Sequence, residues 1–139
     1  MIWKLCVVLA AVAALAMPST AAAGRTLDVD PHQVKFGKQP WNSFTKRTIT
    51  ITNVGRDTVT VAVEAGFVPD DFSPGQPEST CPLTSPTTLA PGDSCTHVIG
   101  FRPTPFFAGL ETATVVLTAR GPSGSVWEQR TVTITGRGV

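Results

Sequence analysis

The chain has no tyrosine, two histidines, three cysteines and only 15% charged residues. Each scarcity excludes something. Without tyrosine there is no tyrosine corner, the side-chain lock of antibody-type immunoglobulin domains. With His32 and His97 as the only imidazoles, and no Gly-x-Ser-x-Gly turn, a serine-nucleophile triad has little to be built from. Cys81 and Cys95, without further ligands, make a poor structural zinc site, which wants four. There is no glycine-rich phosphate loop and no dense Asp/Asn/Gly calcium loop, so neither a cofactor nor a metal is implied. Asp28 and Asp30, and the neighbours Asp70 and Asp71, read as solvated or turn-capping acids. Beyond Met17 no apolar run approaches the roughly 20 residues of a membrane-spanning helix. No window of helical length carries a 3.6-residue apolar period.

What is present begins with a leader. Lys4 precedes the apolar run Leu5 to Met17, Pro18 breaks it, and small residues follow at Ala21 and Ala23. That is the layout of a secretory signal over residues 1–23, with cleavage before Gly24 and one domain over residues 24–139. Cys6 precedes the apolar run, where a lipid-carrying cysteine would follow it, and it leaves with the signal. Cys81 and Cys95 remain, an even pair in an oxidising compartment, and a disulfide is expected. Closing that short loop stabilises the fold by about 3 kcal/mol in the chain-entropy view. Without Lys4, ten Lys plus Arg balance ten Asp plus Glu. They are scattered along the chain, and no clustered basic excess for nucleic acid is visible.

Period-two alternation dominates the rest. Leu27 and Val29 share a face, as do Val34 and Phe36, Ile49 and Ile51, and Val59, Val61 and Val63. The pattern returns in Cys95, His97, Ile99 and Phe101, in Ala113, Val115 and Leu117, and in Val132 and Ile134. β-Branched residues fill these runs, as strands prefer. Asn53-Val54-Gly55 reads as a hairpin turn between two strong strands, and Gly121 to Gly124 separates the last two. Residues 66–93 form a proline-rich connection with one short strand around Phe72. About seven alternating strands predict an all-β, antiparallel, immunoglobulin-like sandwich.

Several segments occur in a telling order: Leu27 to Pro31, Val34 to Gly37, Ile49 to Gly55, Asp71-Phe72-Ser73, Thr80-Cys81, Leu89 to Cys95 and Phe101 to Thr104. In that order the chain resembles the choice-of-anchor D domain, a bacterial surface module related to the ASPM-SPD-2-Hydin (ASH) domains. The resemblance covers nearly all of residues 24–139. It implies an Ig-like sandwich of the PapD or major-sperm-protein kind, without catalytic residues and usually repeated. This chain carries one copy. It also departs from the family in Trp41-Asn42-Ser43-Phe44, where small residues are favoured, and in Phe106-Phe107 before Gly109.

Those departures supply the candidate binding residues: Trp41, Phe44, Phe106 and Phe107. If strands alternate up and down, both aromatic pairs lie at one end. They then act either as outward anchors or as plugs folded into the open end of the sandwich. Trp127 is expected to pack in the core or at an edge. Edges are the second candidate, since an open edge accepts another strand. The first strand is blunted by Pro31, Lys35 and Lys38, whereas Val126 to Thr135 has no proline and reads as the more adhesive edge.

The functional expectation is a non-enzymatic, secreted or periplasmic Ig-like binding module. Its expected partner is a protein, with a glycan as second choice; nucleic acid and a membrane span in the mature chain are excluded. The alternative is a structural accessory subunit assembling edge to edge. A small hydrolase or metal enzyme, resting on His97, is the remote one. The intact mass of exported protein tests the leader and the thiols together. It should match a chain beginning at Gly24 and two hydrogens lighter than the reduced form.

Overall fold

Each alternating strand has one apolar face, and two such faces must meet for either to leave water. The computed structural model describes residues 25–107 and 109–139; the expected leader and Cys6 lie outside the described residues. The elements are β1 (Leu27–Asp30), β2 (Gln33–Gln39), β3 (Thr45–Asn53), β4 (Val59–Ala65), β5 (Phe72–Pro74), β6 (Thr87–Leu89), β7 (Ser94–Phe101), β8 (Leu110–Arg120) and β9 (Val126–Gly138). Seven of these are the alternating runs of the sequence, and the three-residue β5 and β6 complete the set. One sheet has the order β1-β3-β7-β5 and the other β2-β9-β8-β4-β6. The two sheets face each other as an immunoglobulin-like sandwich. No helix among the described residues is long and apolar enough to cross a membrane.

Two expectations fail here. Residues Asn53-Val54-Gly55 do not form a hairpin, because β3 and β4 belong to different sheets. The turn carries the chain across the sandwich. The buried Asn53 side chain holds it there, donating to the carbonyls of Asp57 and Leu89 (2.8 and 2.9 Å) and accepting from Gly55 N–H (3.0 Å). The last strand is not an edge either. β9 runs antiparallel to β8 along its length and parallel to β2 on its other side. The parallel partner lies far away in sequence, so alternation within β9 could not reveal it. β1 and β2 belong to different sheets, and the short connection between them holds a cis Asp30–Pro31 bond. In β2 the register with β9 shifts between Lys35 and Lys38. Gly37 sits there at φ 68°, a conformation glycine adopts without the Cβ penalty.

The core is the sum of the inward faces. Ile49, Ile51, Ile99 and Phe101 from one sheet meet Val115, Leu117 and Ile134 from the other, all fully buried. At the end where β7 stops, three rings close the sandwich. Phe101 stacks on Phe72 at 4.6 Å between centroids and meets Phe36, from the opposite sheet, at 5.2 Å. Such pairs add about 0.5–1.5 kcal/mol beyond the area they bury.

β5 covers only the last three residues of β7. The remaining edge of β7 is covered by the connection that follows β5. Gln76 N–H donates to the Val98 carbonyl (2.9 Å), and Thr80 and Cys81 N–H donate to that of Thr96 (2.9 and 2.8 Å). The Thr96 and Val98 amides in turn donate to the hydroxyls of Thr80 and Ser79 (2.7 and 2.8 Å). The Cys81–Cys95 disulfide, with Cα atoms 5.5 Å apart, ties this connection to the start of β7. His97 completes the attachment from inside. Gly75 N–H donates to its Nε2 at 3.1 Å, so Nδ1 carries the proton and donates to the Cys81 carbonyl at 2.7 Å.

Both ring nitrogens of His97 are therefore committed, and only the neutral ring fits. Burial lowers its pKa below the ordinary 6.5, against the opposing pull of the Cys81 carbonyl. The unfolded state thus binds the proton more readily, and the stability from neutral His97 is lost as pH falls below about 6.5. In urea unfolding, the stability advantage of wild type over His97→Gln should be present at pH 7 and shrink as pH falls towards 5, by at most about 1.4 kcal/mol per pH unit for this one proton. An unchanged acid slope in that variant would refute the assignment.

Candidate functional site

One end of the sandwich gathers the sequence-derived binding residues. Three connections meet there: residues 40–44 between β2 and β3, residues 66–71 between β4 and β5, and the connection from Arg102 to Gly109 between β7 and β8. Backbone bonds join them to one another and to the end of β9. Trp41 N–H donates to the Val139 carbonyl (3.2 Å), Asn42 N–H to that of Pro103 (2.7 Å), and Arg102 N–H to that of Asp71 (2.8 Å).

The three phenylalanines already fill the core at this end, so the loop rings stay outside it. Trp41 is half-buried, lying flat against Gly138 of β9, where any Cβ would overlap its ring. Phe44 is 43% exposed and lies across Gly100, whose Cβ would come within 2.5 Å of it. The Arg102 guanidinium and the Lys46 ammonium stand 5.4 and 5.7 Å from that ring. Phe107 is 40% exposed and Phe106 is 90% exposed. None of the four plugs the sandwich.

Two more apolar side chains project at this end, and the sequence reading missed both. Phe67 is 72% exposed and Leu110 is 68% exposed. Phe67 continues the pairing of β4 with β8 past the last residue of β4: its N–H donates to Thr114 Oγ1 (2.9 Å) and its carbonyl accepts from Thr114 N–H (2.8 Å). Leu110 stands opposite Arg137 in the β8–β9 ladder, and Arg137 stands opposite Lys38 in the β9–β2 ladder. The charges that look scattered along the chain are therefore gathered in space. Lys38, Arg102 and Arg137 are exposed around the apolar tips and have no carboxylate within 4 Å among the described residues. Lys46, by contrast, is paired with Glu78.

Beneath these loops lies a pair of carboxyl groups. Asp71, expected to be a solvated turn acid, is buried, and it anchors the stem of the β7–β8 connection. Its two oxygens accept from Thr104 N–H (3.0 Å) and Thr104 Oγ1 (2.9 Å). Glu111, on the far stem of the same connection, is 7% exposed, and neither of its carboxyl oxygens has a hydrogen-bond partner among the described residues. Burial first, then the adjoining Asp71 carboxylate, pushes its pKa up from 4.5 to about 7. Alternation along β8 places Glu111 on the same inward face as Ala113 and Val115, which is the one signal the sequence offered.

The opposite end is plainer. A shallow cavity of about 420 Å³ is lined by Thr26, Asp57, Val126 and Trp127. Trp127 is 43% exposed and lies over Gly121, so it belongs to the surface of this end and not to the core. His32 is exposed in the turn after Pro31. Among the described residues no three His, Cys, Asp or Glu side chains are grouped to hold a metal ion.

The geometry thus defines an Ig-like sandwich with a cation-rimmed aromatic end. Residues 25–137 match the family model described as the HYDIN/CFA65/VesB-like Ig-like domain, and the chain belongs to that family. Among solved structures it is similar to the ASH/PapD-like domain of human CEP192, at TM-score 0.65 and 11% identity over 92% of this chain and 95% of that one. It is also similar to the Vibrio cholerae VesB protease, at TM-score 0.63 and 20% identity over 85% of this chain but only 33% of the protease. The periplasmic chaperone SfaE matches at TM-score 0.58 and 8% identity, over 81% of this chain and 56% of the chaperone. At these identities the likeness is one of fold. No curated protein sequence matches the chain.

The loop rings should be separable by their effect on stability. Phe106→Ala is expected to leave the urea-unfolding free energy within about 0.5 kcal/mol of wild type. Trp41→Ala, which uncovers Gly138, should cost about 1–2 kcal/mol. A loss at Phe106 as large as that of a core phenylalanine would place its ring inside.

Proposed function

We propose that this chain is a non-enzymatic interaction module acting outside the cytoplasm, and that it binds a protein partner through its aromatic end. The observation that carries the reading is the exposure of Phe44, Phe67, Phe106, Phe107 and Leu110 on adjoining loops of one end. A large apolar ring left in water contributes nothing to folding, and contiguous exposed rings mark contact surfaces. The rim of Lys38, Arg102 and Arg137 adds a preference for a partner with acidic margins around an apolar contact. Trp41 supports the surface from beneath.

The compartment is supported by the disulfide, which persists in oxidising surroundings, together with the leader expected at residues 1–23. Similarity to a periplasmic chaperone fits the same location. His97 offers no route to hydrolysis, since both its nitrogens are engaged within the fold. Edge-to-edge assembly is the weaker reading. The edge strands are β1, β5, β2 and β6, of which β1, β5 and β6 have four residues or fewer. Glu128 and Arg130 cover the start of β1: Glu128 Oε2 accepts from Thr26 and Leu27 N–H, and Arg130 donates to the Leu27 carbonyl. The longest open edge, β2, is bulged at Gly37 and carries Lys35 and Lys38, features that discourage strand addition.

The test is affinity capture from the native cell envelope with three baits: wild type, Phe106→Ser/Phe107→Ser, and Val126→Ser at the opposite end. A partner retained by wild type and Val126→Ser, lost from the double variant and weakened by added salt is the expected result. Retention by all three baits would refute the aromatic-end reading. Light scattering on the purified domain should show a monomer; a stable dimer would favour edge-to-edge assembly.

A further inference from the structure

We propose that Glu111 and Asp71 share a proton that joins the two stems of the β7–β8 connection, and that losing this proton loosens the presentation of Phe106 and Phe107. The inference deepens the reading of the aromatic end as a binding surface, by naming what regulates it.

The geometry is specific. The connection leaves β7 at Arg102 and enters β8 at Leu110. Its first stem is fixed by Asp71 through the amide and hydroxyl of Thr104 and through the Asp71 carbonyl to Arg102 N–H. Its second stem brings Glu111 against Asp71, buried and with two oxygens lacking any donor. Two ionised carboxylates so placed repel each other in a low dielectric. With a proton on Glu111, its hydroxyl donates to an Asp71 oxygen and the orphan acceptors become a hydrogen-bonded pair. Without it, the proton passes to solvent and the two stems carry like charges.

Among the described residues no cation pairs with either carboxylate. The charged groups on the surrounding elements are Arg102 at the end of β7, Arg137 next to Gly136 (which faces Glu111 across the ladder), Lys38 on β2, Glu64 on β4 and Asp70 before β5. None of the cations comes within 4 Å of either carboxylate. The sign follows directly. Glu111 binds its proton more tightly folded than unfolded, so its stabilising contribution is present below its ordinary 4.5 and is lost as pH rises through about 7. That is the reverse of His97.

Amide hydrogen exchange at Thr104, corrected for intrinsic rates, tests this on the unliganded protein. Between pH 5.5 and 8.5 wild-type protection should fall by about tenfold or more. Glu111→Gln, whose amide donates to Asp71 at every pH, should hold it within about threefold. Equal losses in both proteins, or no loss in wild type, would overturn the proposal. The carboxyl carbon resonance of Glu111 in wild type gives a readout independent of any variant. A midpoint near 7 supports the shared proton, and one near 4.5 refutes it. Neither measurement needs a partner, so failure of the pair and failure of the binding reading are told apart.

Discussion

Three phenylalanine rings close one end of this sandwich, and the loop aromatics of that end take their places from that closure. Phe101 and Phe72 reach in from one sheet and Phe36 from the other, with centroids 4.6 to 6.2 Å apart. Interiors pack near crystal density, so a filled end has no room for a fourth ring. Trp41, Phe44, Phe106 and Phe107 are therefore excluded from the core and distributed over its outside. The two that find flat backbone settle on glycine, Trp41 on Gly138 and Phe44 on Gly100. Phe106 finds none and projects. The binding surface is in this sense a by-product of a completed core.

Much of the fold was legible because period two reports burial on one face directly. The alternating runs became β1 to β4 and β7 to β9. The disulfide was legible from compartment and count. What alternation cannot report is who sits beside a strand. Ile49-Thr50-Ile51 and Val59-Thr60-Val61 look like the arms of a hairpin, yet each serves a different sheet, because Asn53 spends its side chain on turning the chain across the core. Val126 to Thr135 looks like an edge because its second neighbour, β2, lies about 100 residues away in the chain. Partner identity is a long-range property, and a run of side chains carries only its local shadow.

The site was legible in the same uneven way. Trp41, Phe44, Phe106 and Phe107 stand out in sequence as bulky residues in loops, and counting loops places them at one end. Phe67 and Leu110 hide beside strand ends, where an apolar residue reads as core. The cation rim was invisible because its members are far apart in the chain: Lys38 stands opposite Arg137 in the β2–β9 ladder, and Arg102 reaches the same end from β7. Asp71 looked like an ordinary turn acid. Its burial depends on Thr104 folding back onto it, and nothing local announces that contact.

Two buried titratable groups bound the conditions under which this arrangement is sound, and they act from opposite sides. His97 is fixed as a neutral ring between Gly75 and Cys81, and acid works against it. Glu111 is held against Asp71 at the other end, and base works against it. Neither group is exposed, and each fastens a connection rather than a strand: His97 the cover of the β7 edge, Glu111 the stem beneath Phe106 and Phe107. The strands are bound by ladders and core packing that do not titrate. Protons therefore reach the loops while leaving the sheets alone, and a scaffold of this kind can tune its contact surface without unfolding it.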